Sequence, residues 1–334
     1  MKIVVPMAGI GKRMRPHTLT IPKPLLPIAG KPIVQRLVED IANVCDEQID
    51  EIGFIIGDFG KEVEDSLIKV AESLGAKGRI FHQEEALGTA HAIMCAKEML
   101  DGKTIVAFAD TLFRADFKLD EEKDGIIWVQ RVEDPSAFGV VQLDDEGYIT
   151  DFVEKPEEFV SDLAIIGIYY FKDGAYLREN LQYLLDNKIM DKGEYQITDG
   201  LQRMRKAGSR FAPGTVIEWL DCGNKNATVH TNQRVLEFIK DEKIVSDSAK
   251  LNNSVIIPPC FVGDDVVLEN SVVGPHVSIG NGTKITDSRV SNSIIQESTE
   301  ISGLQASNSM IGNHSKLSIE AREWSVGDYN QISE

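Results

Sequence analysis

From Ser246 onward one dipeptide keeps returning with two apolar residues behind it. The copies are Asn253-Ser254-Val255-Ile256, Asn270-Ser271-Val272-Val273, Asn292-Ser293-Ile294-Ile295 and Asn308-Ser309-Met310-Ile311. Between them, apolar residues recur about every six positions, at Val262, Leu268, Val273, Ile279, Ile285, Ile295, Ile301, Ile311 and Leu317. Apolar-Gly pairs join them at Val262-Gly263, Val273-Gly274, Ile279-Gly280 and Ile311-Gly312. An imperfect hexapeptide repeat of this kind stacks into a parallel β-helix of about five coils, with the apolar column turned inward. The open ends of such a stack invite capping or oligomerisation.

The opposite end of the chain follows another logic. Lys2-Ile3-Val4-Val5-Pro6 is a short apolar run that reads as a buried strand. It leads into Met7-Ala8-Gly9-Ile10-Gly11-Lys12-Arg13-Met14-Arg15-Pro16 and then Pro22-Lys23-Pro24-Leu25-Leu26-Pro27. Strand, glycines and cations in that order suit a polyphosphate. Small residues let backbone N–H groups approach the oxygens, and Arg and Lys add charge and directed donors. A dinucleotide-binding fingerprint fails because Met14 stands where its third glycine belongs. A Walker A loop fails because Pro6 stands five residues before Gly11. What remains is a nucleotidyltransferase loop gripping a nucleoside triphosphate, or an ordinary glycine turn with solvated cations. The proline-stiffened run, which holds Lys23 on a fixed backbone, favours the first.

At 334 residues the chain has room for two domains. Its formal net charge of −18 argues against a nucleic-acid partner. Free nucleotide is different, since a local cationic loop and a metal ion can hold it. Cys45, Cys95, Cys222 and Cys260 are scattered, as free thiols in a reducing compartment would be. No apolar run reaches membrane length, and the chain opens on a strand rather than a signal peptide. A soluble cytoplasmic protein with no membrane partner is expected.

Helical spacing appears over Pro32 to Cys45, Lys61 to Leu74 and Leu87 to Leu100, with strands over Glu51 to Ile56, Arg79 to His82 and Thr104 to Ala109. Alternation of this kind implies a parallel sheet with helices on both faces, and ligands sit beyond the carboxyl ends of its strands. The opening loop, Gln83 to Ala90, and Asp110 all lie at such ends. Gln83 offers both a donor and an acceptor to a base edge, and Gly88 allows close backbone approach to a flat ring. Asp110, at the tip of an apolar strand, needs water, a partner or a cation. Strand-like runs follow over Ile126 to Arg131, Ala137 to Leu143, Tyr148 to Val153 and Leu163 to Phe171. Helices are expected over Asp173 to Leu185, Thr198 to Ala207 and Asn224 to Lys240, with one strand over Thr215 to Gly223.

The motifs together resemble the sugar-phosphate nucleotidyltransferases. Their opening pattern is G-G-x-G-T-R-L-x-P followed by P-K-x-L-L-P; here Ala8 replaces the first Gly and Lys12 the Thr. Leu87-Gly88-Thr89-Ala90, Ala109-Asp110, Phe138-Gly139-Val140, Glu154-Lys155-Pro156, Lys192-Gly193-Glu194-Tyr195-Gln196-Ile197-Thr198-Asp199 and Trp219-Leu220-Asp221-Cys222-Gly223 resemble later family motifs in family order, with Ala109 in place of a Gly and Lys192 where relatives often carry Arg. The resemblance implies a Rossmann-like α/β domain with a mixed, mainly parallel sheet over residues 1–240. Over 246–334 it implies a left-handed parallel β-helix that serves oligomerisation or regulation, as in long-form glucose-1-phosphate thymidylyltransferases.

The implied reaction joins a nucleoside triphosphate to a sugar 1-phosphate, giving a nucleotide sugar and pyrophosphate, with Mg²⁺ on Asp110 and Asp221. Arg13 would stabilise the departing pyrophosphate, Lys23 would contact phosphates, and Lys155 would align the nucleophile. Ala8, Gly9, Gly11 and Lys12 would line the triphosphate, and Gln83, Gly88 and Thr89 the base. Gly139, Glu154, Lys155, Lys192 and Glu194 would hold the sugar phosphate. Thr111 stands where relatives carry Asn or Asp, and Gln196 replaces a Glu. A pyrimidine nucleotide, dTTP or UTP, with glucose 1-phosphate is the leading pair. Pro24 keeps mannose-1-phosphate guanylyltransferase as the alternative, beside a non-catalytic subunit of the same fold. His276 and His314 raise an acyltransferase reading of the tail, which the short repeat disfavours. A homo-oligomer is expected.

Overall fold

The computed structural model describes residues 1–9, 11–115, 118–323, 325–329 and 331. Ile10 of the opening loop lies outside them. The chain divides into two compact units, Met1–Leu26 with Lys31–Ala227, and Pro27–Gly30 with Thr228–Glu334.

In the first unit β1 (Lys2–Pro6), α1 (Ile33–Val44), β2 (Glu51–Ile56), α2 (Lys61–Ser73), β3 (Lys77–His82), α3 (Thr89–Cys95) and β4 (Thr104–Ala107) alternate along the chain. β5 (Thr111–Arg114), β6 (Gly125–Arg131), β7 (Gly139–Leu143), β8 (Ile149–Glu154) and β9 (Leu163–Phe171) follow. Then come α4 (Gly174–Asp186), α5 (Ile197–Lys206), β10 (Phe211–Thr215), β11 (Glu218–Asp221) and α6 (Lys225–Phe238), which belongs to the second unit from Thr228 onward. Ile33, Val34, Leu37, Val38, Ile41 and Val44 make one buried stripe on α1, the three-and-four spacing of a helix packed on a sheet. Asp173 caps α4 by accepting from the N–H groups of Ala175 and Tyr176.

The main sheet has nine strands in the order β8-β7-β9-β4-β1-β2-β3, with β6 on β9 and β10 on β6. It is mixed. β1 lies parallel to β2 and β4, and β2 to β3. β9 runs antiparallel to β4, β6 and β7, as does β7 to β8. Trp128, Tyr170, Phe171 and Phe211 are among its fully buried side chains.

Among the strands that escape the sequence reading are β10 and β5. β10 carries Pro213 and Gly214, which argue against a central strand; it pairs with β6 alone, so the missing donor costs little. β5 has four residues, and its partner β11 lies far along the chain. The strand expected over Thr215 to Gly223 is therefore the end of β10, a break, and β11. The strand expected to reach Ala109 stops at Ala107, and the helix expected from Leu87 starts at Thr89.

The second unit is a parallel β-helix with three strand columns. One holds Lys250–Asn252, Val267–Glu269, Lys284–Thr286, Glu300–Ser302 and Lys316–Ser318, all in parallel register. The other columns hold four strands each. Val262, Leu268, Val273, Ile279, Ile285, Ile295, Ile301 and Ile311 form the inner column.

Coils repeat every 17 residues at first and every 16 later, short of the roughly 18 of three strict hexapeptides. The Asn-Ser copies are consequently two columns rather than one. Asn253, Asn270 and Asp287 stack at one corner through side-chain hydrogen bonds of 2.9 and 3.1 Å. Asn292 and Asn308 stack at another, below His276. All six have left-handed φ between 39° and 62°, a conformation that Asn and Asp tolerate best after Gly. Serine oxygens link the coils: the N–H of Ser271 donates to Ser254 Oγ, Ser288 to Ser271 and Leu304 to Ser288, at 3.0, 3.1 and 3.0 Å.

Candidate active site

β1 and β4 lie side by side. The loops after them open on a cleft of about 420 Å³ within the first unit. Of the residues singled out from sequence, Ala8, Gly9, Gly11, Lys12, Arg13, Lys23, Gln83, Gly88, Thr89, Asp110 and Glu194 line it. Ala92 and Phe108 are among those added by the fold.

The loop after β1 is tight for a specific reason. Gly11 sits at φ 64°, and a Cβ there would press to 3.0 Å from Lys23 Cβ and 3.2 Å from Thr18 Cγ2. The Thr18 hydroxyl donates to the Gly11 carbonyl at 2.8 Å. This contact sets Lys23, on a single turn between Pro22 and Pro24, directly beside the loop. Lys23 is 9% exposed, and its Nζ lies 2.9 Å from Asp110 Oδ2.

Asp110 and Asp221 are brought together by the β5–β11 ladder. Thr111 pairs with Asp221, and the Cys222 N–H donates to the Asp110 carbonyl at 3.0 Å. Asp221 Oδ1 accepts from the Gly223 N–H at 2.8 Å. Burial, followed by the charge of Asp110, raises the Asp221 carboxyl above the usual range, although the Gly223 bond, Lys23 and Arg13 pull it down. Two carboxylates set side by side by one ladder offer negative charge and oxygen donors to a cation. All-oxygen donors suit a hard divalent ion, which keeps few protein ligands and takes the rest from water and phosphate. Among the described residues no group of three or more His, Cys, Asp or Glu gathers. Thr111 has a structural use, since its hydroxyl accepts from the Trp219 indole N–H at 2.5 Å.

The Gln83 backbone N–H donates to the Ile56 carbonyl at 2.9 Å. Gly88 has φ 107°, and a Cβ there would fall 2.5 Å from the Tyr195 carbonyl oxygen. Tyr195 and the 87–90 loop are joined by two backbone bonds, Tyr195 N–H to Leu87 O at 2.8 Å and Ala90 N–H to Tyr195 O at 2.9 Å. Thr89 Oγ1 accepts from the Ile197 N–H at 2.9 Å and donates to Gln196 Oε1 at 3.1 Å. Gln196 in turn donates to Glu194 Oε2 at 3.1 Å. The Gln that replaces a family Glu is thus the link between Thr89 and Glu194.

Gly139, Glu154, Lys155 and Lys192 form a separate cluster beside that link rather than part of the cleft lining. Glu154 faces Gly139 across the β7–β8 ladder. It accepts from Thr198 Oγ1 at 3.3 Å, and Lys155 Nζ lies 3.5 Å from its other oxygen. Lys192 Nζ donates to the Lys155 carbonyl at 3.4 Å. Both lysines are exposed, with φ of 40° and 51°. Sequence reading missed Thr198 and Tyr195, whose roles depend on neighbours distant in the chain.

A cleft at the carboxyl ends of parallel strands, with a glycine-cation loop facing two carboxylates, defines a nucleotide-handling enzyme. Residues 2–237 match the family model described as nucleotidyl transferase, and the chain belongs to that family, on its sugar-1-phosphate side. It is 30% identical to a glucose-1-phosphate thymidylyltransferase of Streptomyces antibioticus over 363 aligned positions, covering 99% of both chains. It is 33% identical over 267 positions to the low-salt glycan biosynthesis nucleotidyltransferase Agl11 of Haloferax volcanii, covering 76% of this chain and 72% of that one. A solved UDP-glucose pyrophosphorylase complexed with UDP-glucose shares the fold, with TM-score 0.59 and 24% identity over 71% of this chain and 98% of that one. Among the described residues no helix is long and apolar enough to cross a membrane.

Proposed function

We propose that this protein makes a nucleotide sugar and pyrophosphate from dTTP or UTP and glucose 1-phosphate, with Mg²⁺ as its metal. The observation that carries the reading is the ladder that brings Asp221 beside Asp110, which lines the same cleft as Gly9, Gly11, Lys12 and Arg13, with Lys23 held between loop and carboxylate. The whole-length likeness to a thymidylyltransferase supports the choice of base and sugar.

A phosphate oxygen of the sugar attacks the α-phosphorus in line. The new O–P bond forms as the bond to the β-phosphate oxygen breaks, and the electron pair leaves with pyrophosphate. No covalent enzyme intermediate is required, so the chain's work is positioning and charge neutralisation. Backbone N–H groups around Gly9 and Gly11 face the triphosphate, and Arg13 neutralises the leaving pyrophosphate. Lys23 bridges carboxylate and phosphate. Lys155 and Lys192 draw in the sugar phosphate, and Glu154 and Glu194 accept from sugar hydroxyls. Mg²⁺, held by Asp110 and Asp221, supplies charge neutralisation of the phosphates when bound.

The test is pyrophosphate release with Mg²⁺, crossing dTTP, UTP, GTP, CTP and ATP with glucose 1-phosphate and mannose 1-phosphate. Turnover with dTTP or UTP and glucose 1-phosphate is expected. A preference for GTP and mannose 1-phosphate, or silence across the grid, would overturn the substrate assignment. The open ends of the β-helix suit self-assembly, and light scattering of the full chain should report a mass above 37.0 kDa.

A further inference from the structure

Beyond Lys23 the chain soon turns back on itself, at Ala29-Gly30, between the short strands Pro27–Ile28 and Lys31–Pro32. Ala29 is buried with φ 45°, and Gly30 follows at φ 84°. Residues 27–30 belong to the second unit, and so do the side chains that hold the turn. Asn232 of α6 is fully buried. Its Oδ1 accepts from the Ala29 N–H at 2.9 Å and from the hydroxyl of Ser278, on the β-helix strand Val277–Ile279, at 2.7 Å. A backbone N–H can only donate, so the atom facing Ala29 is the amide oxygen and the sense of the Asn232 amide is fixed. The amide nitrogen finds no partner among the described residues. A buried polar atom left unpaired is costly, so an asparagine here is kept for its oxygen. Next to Ala29, a Cβ on Gly30 would fall 2.2 Å from Phe261 Cζ, so the Phe261 ring, also of the second unit, lies against the glycine.

Between Lys23 and this turn the chain has little slack. Pro24 and Pro27 each fix a φ angle. The Leu26 N–H donates to the Lys23 carbonyl at 3.0 Å, and the Ile33 N–H to the Leu26 carbonyl at 3.1 Å. Leu26 and Ile28 are fully buried. We propose that Asn232 is a positioning residue: by gripping the Ala29 turn together with Ser278, it sets where the Lys23 ammonium stands. The proposal rests on Lys23 contacting the triphosphate, as in the reading above. Asn232 touches no reacting atom; it acts along the chain through Ala29. A turn released from it lets Lys23 Nζ drift from its place 2.9 Å from Asp110 Oδ2.

A double-variant cycle on the full chain tests this without turnover. Wild type, Asn232→Leu, Lys23→Ala and the double variant are titrated at equilibrium with dTTP, UTP, GTP, CTP and ATP in saturating MgCl₂, and the tightest nucleotide is followed. Lys23→Ala should weaken binding about tenfold or more, the scale of one hydrogen bond to a charged group. Asn232→Leu removes the acceptor and should forfeit part of that, about fivefold. With Lys23 gone there is nothing left to misplace, so the double variant should bind within about twofold of Lys23→Ala. Asn232→Asp keeps an oxygen facing Ala29 and should bind within about twofold of wild type, although a carboxyl buried there lowers the melting temperature. Should Asn232→Leu not fold, Ser278→Ala frees the same oxygen from its second partner and goes through the same cycle, with a loss of about threefold expected. A merely structural role would make binding follow melting temperature in every variant, and its effect would multiply with that of Lys23→Ala. Either result overturns the proposal, as does wild-type binding by folded Asn232→Leu. A wild type that binds none of the nucleotides would overturn both this proposal and the reaction. A cycle that closes as expected, with no pyrophosphate released from any sugar phosphate, would sink the reaction alone and leave the Asn232 assignment standing.

Discussion

Lys23 and Asp110 form an ion pair of 2.9 Å in which the lysine is the more buried partner, its side chain 11% exposed against 45% for the carboxylate. The cation is held in place by the fold, and the anion faces the cleft. Removing either should therefore have opposite effects on metal demand.

Asp110→Asn and Asp221→Asn should each lower kcat roughly 10²–10³-fold, the usual cost of deleting one preorganised charge contact, and raise the Mg²⁺ concentration needed for half-maximal rate. Lys23→Ala should lower kcat comparably without raising that concentration, because it takes a competing cation from Asp110. Initial rates across a MgCl₂ series check all three. Near-normal turnover in a folded Asp110 variant would refute the metal assignment.

Gly88→Ala should destabilise the first unit. The new Cβ would fall 2.5 Å from the Tyr195 carbonyl oxygen and 2.7 Å from its nitrogen, at a φ of 107°. Backbone strain of this kind costs about 1–3 kcal/mol, and the clash adds to it. Gly9→Ala is the contrast, because a Cβ there meets nothing within 4 Å. Its melting temperature should stay that of the parent while the KM for nucleoside triphosphate rises, since the methyl group intrudes on the space beside the phosphate loop. Calorimetric melts and nucleotide saturation curves separate the two outcomes.

Alkaline pH should weaken the fold through buried thiols. Burial, then the charge of Glu121, pushes Cys45 up to about 12, and burial pushes Cys260 up to about 11, from an ordinary value of 9.0. A folded-state value above the unfolded one means that the unfolded chain releases protons the folded chain keeps. Stability is then lost as pH rises from about 9 toward 11 or 12. Urea midpoints at about pH 8 and about pH 10 should fall in that order, and Cys45→Ser should blunt its share of the slope. In the native protein a thiol reagent should reach partly exposed Cys95 before Cys45, Cys222 or Cys260. Equal labelling rates for all four would contradict the packing described.

Much of the nucleotide side was legible because its chemistry is written in contiguous residues. Gly11, Lys12, Arg13 and Lys23 lie within one stretch, Gln83 follows directly on β3, and Asp110 comes three residues after the apolar β4. What stayed hidden depends on partners distant in sequence. Asp221 reaches Asp110 only through the ladder between β5 and β11, and β5 is too short to announce itself. Gln196 gains its meaning from Thr89. β10 was masked by Pro213 and Gly214, residues an edge strand can carry. The β-helix was legible as a period but not as columns, because coils of 17 and 16 residues merge two corners into one apparent series.

The serine links between coils have a consequence for how this tail can change over time. Ser254, Ser271 and Ser288 perform the same act for the coil that follows, at the same corner and in the same register. A gene deletion that starts anywhere within a turn and ends at the matching point of the next removes one storey and rejoins like to like. The ladder closes over the gap with every donor still served. The length of this tail is therefore a quantity that inheritance can alter in whole storeys, whereas an indel of any other size leaves a broken step.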